Sequence, residues 1–451
     1  MKTKLCAIVP LVFIGFGSFS QTMIIRDSTI GKMVGEVSAD SLRSYVSSLV
    51  ALGTRNTLST QSNPKRGIGA ARKWVLNKFS QFSAASNGRL TAFVDTTTLP
   101  PDQMRVDSTL LLGNVIATLK GSDPQDNRIF IISGHLDNRR SDVMDRTGDS
   151  PGANDDGSGV AAVIECARIM SKQSFPATLV FVAVSGEEQG LLGAKYMAGK
   201  AKKEDRDIEA VLNNDIMGSN NSSETNIINN VKLRVFSEGM PFHDLDKNAR
   251  MIRQLGLEND GKSRQLARYV KETGERYVDN LELVMVYRPD RFLRGGDHIP
   301  YEENGYAAVR LTEMNENFYH QHQDVRKEKG IQYGDLIEFI DFEYLRKNAA
   351  VNLSTLANLA KSPSGPQQLQ MDITKLSNES YLYWKSPKTG NVKGYFILLR
   401  ETTSPVWQKK IFTAGTSAVL PYSKDNYLFA VQSVSETGNE SLPELPAIGK
   451  N

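Results

Sequence analysis

The stretch IFIISGHLDN, residues 129–138, is a run of consecutive apolar residues that ends in glycine, histidine and aspartate. Apolar residues at neighbouring rather than alternate positions mark a strand buried on both faces of a sheet. Similar runs occur at 178–185, 210–213, 281–287 and 307–311, and intervening segments such as 159–170 and 263–277 carry apolar residues at helical spacing. Alternation of this kind predicts an α/β fold with a mostly parallel central sheet sandwiched by helices. Ligands of such sheets bind beyond the carboxyl ends of the strands, which is where His135 and Asp137 fall.

Working outward, amphipathic helices are expected at 38–52 and 69–82, ahead of the strand–helix alternation. A helix over 335–361 should close the domain, and SPSGPQQ at 362–368 reads as a linker. Residues 369–451 change texture to short strand-like runs separated by turn residues, which predicts a small β-sandwich. Trp384 in an early run and YLFAVQSVSETGNES near the end resemble a fibronectin type III module.

The 451 residues exceed one typical domain, and 40% apolar with 23% charged is ordinary for a soluble globular chain. A formal net charge of +3 and the lack of a basic run speak against nucleic-acid binding. Residues 1–20 read as a secretion signal: Lys2 and Lys4 precede an apolar stretch, and Ser18 and Ser20 are placed for cleavage before Gln21. That stretch is too short for a comfortable membrane span, so an exported, periplasmic or secreted protein is expected. Cys6 would leave with the leader, and Cys166 lies on the apolar face of a helix, a packing position with no internal disulfide partner.

Five further residues share the strand-end placement: Asp155 in PGANDDGSG, the pair Glu187 and Glu188 in VSGEEQG, Asp215 in LNNDIMG and His320 in FYHQHQD. Imidazoles and carboxylates are the nitrogen and oxygen donors that zinc accepts. Asp137 is placed to hydrogen-bond the second ring nitrogen of His135 and fix its tautomer. Asp155 lies in a glycine-rich turn from which a carboxylate can bridge two cations, and Glu187, directly before a ligand candidate, can serve as a base. The set points to metal-assisted hydrolysis. HExxH is missing from the sequence, and the Gly-Ser-Gly of residues 157–159 reads as a helix-opening turn rather than a nucleophile elbow.

The series H-x-D, G-A-x-D-D-x-S-G, G-E-E-x-G-L-x-G, N-x-D and Y-H-x-x-x-D resembles the di-zinc aminopeptidase family, which also contains glutamate carboxypeptidase II and glutaminyl cyclase. The likeness runs over about residues 38–360. It implies two zinc ions, with His135 and Asp215 on one, Glu188 and His320 on the other, and Asp155 between them. It also implies Glu187 as the general base, and Asp137, in its role on His135, is counted with it among the catalytic residues. Asp156 adjoins the bridging position. His322 stands where the family usually has proline and is expected to support the site from outside or to face solvent. Gly296-Asp297-His298 stands in place of S-D-H, so His298 is expected to shape the wall of the site.

The implied activity is removal of N-terminal residues from peptides with a free amino group. Glutaminyl cyclisation and a non-catalytic binding role are the alternatives on the same fold. The segment 220–295 is expected to build pocket walls. No candidate ligand lies beyond His320, so the C-terminal module is expected to be dispensable for catalysis, leaving it free for a surface or protein contact.

Overall fold

A computed structural model of the protein describes residues 24–449 apart from Gln103, Asp244 and Lys375; the leader expected at 1–20 lies outside the described residues. Strands β1 (Leu90–Leu99), β2 (Leu110–Leu119), β3 (Ile129–His135), β4 (Thr178–Val184), β5 (Ile208–Asn214), β6 (Lys232–Phe236), β7 (Glu282–Val286) and β8 (Ala308–Glu313) form one sheet in the order β1-β2-β4-β3-β5-β8-β6-β7. The central block β4-β3-β5-β8 is parallel throughout. Antiparallel pairings flank it, with β2 on β4 and β6 on β8.

The opening stretch behaves as its pattern requires. Phe130 and Ile132 of β3 enter the core on one face of the sheet, and Ile131 between them enters the core on the other. The first face is covered by α1 (Ser28–Gly35), α2 (Ala39–Val50), α3 (Ile68–Ser83), α4 (Gly157–Met170), α7 (Lys262–Tyr277) and α9 (Phe342–Lys361). On the second face lie α5 (Leu192–Lys203) and α8 (Ile299–Glu303), while α6 (Leu245–Leu255) is largely exposed. Cys166 is fully buried on α4 and, among the described residues, unpaired with another cysteine.

Helix α9 begins at Phe342 rather than near residue 335. Asp341 caps it by accepting from the backbone N–H of Glu343 and Tyr344. Asp335 is engaged elsewhere, accepting from the backbone of Asn154 and Asp155.

Beyond a two-stranded hairpin of β9 (Arg326–Glu328) and β10 (Ile331–Tyr333), seven strands make two small sheets. Strands β11 (Gln367–Asp372), β12 (Ser380–Lys385), β15 (Ser417–Leu420) and β17 (Ala447–Gly449) form one, and β13 (Gly394–Glu401), β14 (Lys409–Thr413) and β16 (Tyr427–Val434) the other. Leu382, Trp384, Ile397, Leu399, Leu420 and Val431 fill the space between them. Trp384 meets Tyr395 edge-on at 5.2 Å.

This sandwich is fixed to the α/β domain through buried polar contacts. Arg276 on α7 makes a two-pronged ion pair with Glu440, at 2.8 and 2.9 Å. The same carboxylate accepts from Asn358 of α9 at 2.9 Å. Asp260 pairs with Arg268 of its own domain and with Arg400 of the sandwich. The junction itself is tied down: Arg128 donates to the carbonyls of Ser362 and Pro363, both buried. Residues 362–364 therefore form a buried seam rather than a free spacer.

Candidate metal centre

The site is assembled by loops at the carboxyl ends of β3, β4, β5 and β8. His135 is the last residue of β3, and its buried ring points its Nε2 at Asp155 Oδ1, 3.1 Å away, and at Asp215 Oδ1, 3.7 Å away. The other oxygen of Asp155 faces a second group, with Oδ2 at 3.0 Å from His322 Nε2. His322 Nε2 also lies 3.1 Å from Glu188 Oε1. Two three-donor clusters thus share Asp155, one oxygen each: His135, Asp155 and Asp215, and Asp155, Glu188 and His322.

Local sequence explains the placement. The turn carrying Asp155 packs against β3 through glycine. A Cβ at Gly134 would come within 2.6 Å of the Gly159 carbonyl carbon, and one at Gly159 within 2.4 Å of Asp156 Oδ2. These two glycines let the N-terminus of α4 press onto the strand end. Asp156 is occupied in that contact, accepting from the N–H of His135 at 2.8 Å and capping α4 through Gly159 at 3.0 Å. Asp155 is left to face the cavity, and the ambiguity of the adjacent pair is resolved by these hydrogen bonds.

The carboxylate of Asp137 does a different task from the one expected. It accepts from the backbone N–H of Gly186, Glu187 and Glu188 at 2.9–3.2 Å, which fixes the loop bearing both glutamates. The Nδ1 of His135 lies 3.1 Å from the Asp137 carbonyl oxygen but 3.9 Å from its carboxylate. The tautomer is set by the main chain, and Asp137 acts on the site through the 186–188 loop.

His320 is not in the site. Its ring stacks on Phe339 at 3.6 Å with a 7° interplanar angle, and burial lowers its pKa to about 4, as suits a neutral packed ring. The ring lies with Phe339, Asn317 and Glu313 around a small internal void. Two residues on, His322 adopts a left-handed backbone (φ 52°) and supplies the imidazole that His320 was expected to supply. His298 is also absent from both clusters: its Nε2 lies 2.6 Å from the Pro289 carbonyl, in a fully buried setting beside Asp290.

Supporting residues without a motif complete the picture. Asp335 accepts from the N–H of Asn154 and Asp155 at 2.7–2.9 Å, and burial pushes its carboxyl up to about 7. Buried Arg55 donates to the carbonyls of Leu136, Pro151 and Gly152, clamping the 136 and 152 loops together. Arg310 on β8 holds Asp215 Oδ2 at 2.9 Å. From segment 220–295, Arg291, Leu293 and Arg294 do line the cavity.

Electrostatics show that these positions demand positive charge. Burial alone would lower the pKa of His322, yet Glu188 and Asp155 outweigh it and push it up to about 10. The same contest, won by Asp156, Asp155 and Asp215, raises His135 well above its ordinary value. Asp155 is held far below the carboxylate range, because the two imidazoles outweigh its burial. Burial, reinforced by Glu188, Asp215 and Asp297, holds Glu187 well above the usual range against the pull of His135. Glu188 Oε1 is buried without a hydrogen bond, and so are both carboxylate oxygens of Asp297. Clustered buried carboxylates with nitrogen donors at coordinating reach are what divalent cations replace protons in. The donors are hard oxygens and imidazole nitrogens, which suits zinc.

Two donor clusters that share one carboxylate match the layout of two-metal hydrolases. The sequence profile of peptidase family M28 matches residues 114–341. A probable zinc metalloprotease of Leptosphaeria maculans is 41% identical over 424 residues, covering 94% of this chain and 98% of that protein. The chain belongs to peptidase family M28, and it is a zinc metallopeptidase acting on peptide substrates. Among solved structures, the LapA aminopeptidase of Legionella pneumophila superposes with a TM-score of 0.53 at 16% identity, covering 76% of this chain and 78% of its own. A leucine aminopeptidase precursor of Bacteroides thetaiotaomicron gives 0.50 at 17% identity, covering 72% and 98%. At these identities the two structures share the fold.

Proposed function

We propose that the protein is a two-zinc aminopeptidase that removes N-terminal residues from peptides. The observation that carries this reading is the division of Asp155 between the two donor clusters, one carboxylate oxygen to each. His135, Asp155 and Asp215 would hold one zinc, and Asp155, Glu188 and His322 the other. Bound zinc supplies a Lewis acid for the scissile carbonyl and lowers the pKa of a water.

The chain's own residues do the rest. Glu187 lines the cavity beside both clusters and makes no bond that ties up its carboxylate among the described residues. It accepts a proton from the attacking water and returns it to the leaving amine. Asp137 positions Glu187 and Glu188 through their backbone N–H groups. The carbonyl of Asp137 receives the Nδ1 proton of His135, which turns the free lone pair of Nε2 toward the cavity. Arg310 neutralises the outer oxygen of Asp215 and keeps the inner one aimed at His135. The neighbours named as aminopeptidases, together with the free α-amine that a confined two-cation site can anchor, support exopeptidase action.

Chelated protein, restored with measured equivalents of zinc, should be assayed on aminoacyl anilides and on the same peptides with acetylated N-termini. Cleavage of free N-termini alone, with full recovery at two zinc per chain, is expected. Cleavage inside N-acetylated peptides would overturn the aminopeptidase reading, and full recovery at one zinc would overturn the two-metal one. We also propose removal of the leader before Gln21 with export, to be checked by mass spectrometry of the mature protein, and a fibronectin type III-like lineage for the C-terminal sandwich.

A further inference from the structure

The cavity over the two clusters encloses about 430 Å³, and its wall is unusually cationic. Four guanidinium groups line it: Arg105, Arg139, Arg291 and Arg294. Among the described residues only one of the four is neutralised by carboxylates, since Arg291 pairs with Asp290 at 3.2 Å and with Glu316 at 3.3 Å. The others meet neutral acceptors or none. Arg105 donates to the Glu188 carbonyl at 2.8 Å, and Arg139 donates to the carbonyls of Arg140 and Ser141. The exposed Arg294 side chain makes no hydrogen bond or ion pair among the described residues.

The apolar part of the wall is meagre. It consists of Leu191 and of Leu293, whose side chain is 90% exposed. A leucine-like side chain entering here would find little surface to bury against, whereas a carboxylate would find three uncompensated guanidinium groups. The carboxylates Asp155, Glu187, Glu188 and Asp215 lining the floor are balanced by two divalent cations, so the arginines leave the loaded cavity net positive. Guanidinium–carboxylate pairs are short, charge-assisted and able to form two bonds at once, which makes Arg the residue of choice for such recognition.

We propose that this arginine-lined cavity selects substrates carrying a carboxylate close to the scissile bond, with Arg294 and Arg105 as the main specificity determinants. The carboxylate is supplied either by an acidic N-terminal side chain or by the free C-terminus of a dipeptide. The proposal rests on the aminopeptidase reading above, because the balance of charge on the floor assumes two bound cations.

The test compares isosteric pairs on the zinc-loaded full chain: glutamyl against glutaminyl anilide, and Leu-Gly against Leu-Gly amide. The first pair reads the side-chain source and the second the terminal source. At least one pair should show a kcat/KM ratio of about tenfold or more in favour of the carboxylate, the effect of one good charge-assisted contact. The ratio should shrink as salt rises. Arg294→Ala should collapse it through KM, and Arg294→Lys should restore part of it. Calorimetric binding of glutamic acid hydroxamate against glutamine hydroxamate gives a readout independent of turnover. Turnover without preference in either pair, or a preference untouched by both Arg294→Ala and Arg105→Ala, overturns the proposal while leaving the peptidase reading standing. Absence of turnover on every one of these substrates, with hydroxamate selectivity that Arg294→Ala removes, supports the cavity assignment and overturns the aminopeptidase reading instead.

Discussion

The two edges of the central sheet both bury acidic side chains, and they treat them in opposite ways. At the edge facing the sandwich the buried carboxylates have cations supplied by the chain: Asp126 has Arg128, Asp260 has Arg268 and Arg400, Glu440 has Arg276, and Asp27 has Lys361. At the other edge Asp155, Glu188 and Asp215 converge on two histidines, and among the described residues only Asp215 has an arginine, Arg310. Self-neutralised acid cements a joint, whereas acid left short of positive charge recruits it from solution. The comparison teaches that burial of charge alone is no sign of function; the missing counter-charge is.

The sharpest attempt to break this contrast uses the neighbouring histidines. His322→Ala should abolish peptidase activity and lower zinc content measured by elemental analysis, since it removes one of three donors. His320→Ala should keep its zinc and lose only the packing on Phe339, seen as a lower melting temperature. If His320→Ala loses zinc and His322→Ala does not, the assignment is inverted.

Glu187→Gln comes next. Loss of the proton acceptor should cost about 10²–10⁴-fold in kcat. Zinc content should be unchanged, because Glu187 belongs to neither donor cluster. Glu188→Gln should instead weaken zinc binding.

At the opposite edge, Glu440→Ala should destabilise the fold by about 3–5 kcal/mol, the usual result of leaving a buried ion-pair partner alone. Urea unfolding monitored at both tryptophan fluorescence and zinc release measures this. Coincident transitions are expected, because the stranded Arg276 and Asn358 belong to the α/β domain. Separate transitions would show that the joint is weaker than its contacts imply.

The smallest effect concerns pH. Glu209, partly buried beside the joint, has its carboxyl pushed up to about 7, by burial first, with Arg128 opposing and Asp207 and Glu444 adding to it. Its folded pKa lies above its unfolded one, so its contribution to stability is full below about 4.5 and is lost as pH rises through about 7. Glu209→Gln should therefore raise the melting temperature at pH 8 and leave it nearly unchanged at pH 4. Equal shifts at both values would disprove the linkage.

How much of this could be read from the sequence follows from the same physics. Strands β3, β4, β5 and β8 were legible because burial on both faces forces consecutive apolar residues. Strand β1 was not: TAFVDTTTL exposes alternate residues at the sheet's edge and so carries a weak polar pattern. His135, Asp155, Glu188 and Asp215 were legible because each ends a strand, lies in the loop that follows one, or precedes the start of a helix. His322 was not, since the choice between two histidines in one loop depends on a left-handed backbone turn and on an aromatic partner at Phe339. The contacts that dock the sandwich were hidden for a similar reason. Arg276 and Glu440 are 164 residues apart, and neither lies in a motif.

One contact between the N-cap of α1 and the sandwich has a bearing on the order in which the molecule closes. Asn439 donates to Asp27 at 3.3 Å, and Asp27 is also held by Lys361 and by the hydroxyl of Tyr277. The two partners are 412 residues apart. At about 5–20 residues per second of synthesis, Asp27 waits roughly 20–80 s on the ribosome for its last partner. The cap of α1 therefore gains its last hydrogen bond only after the sandwich has been made, well after Tyr277 and Lys361 have taken hold of Asp27.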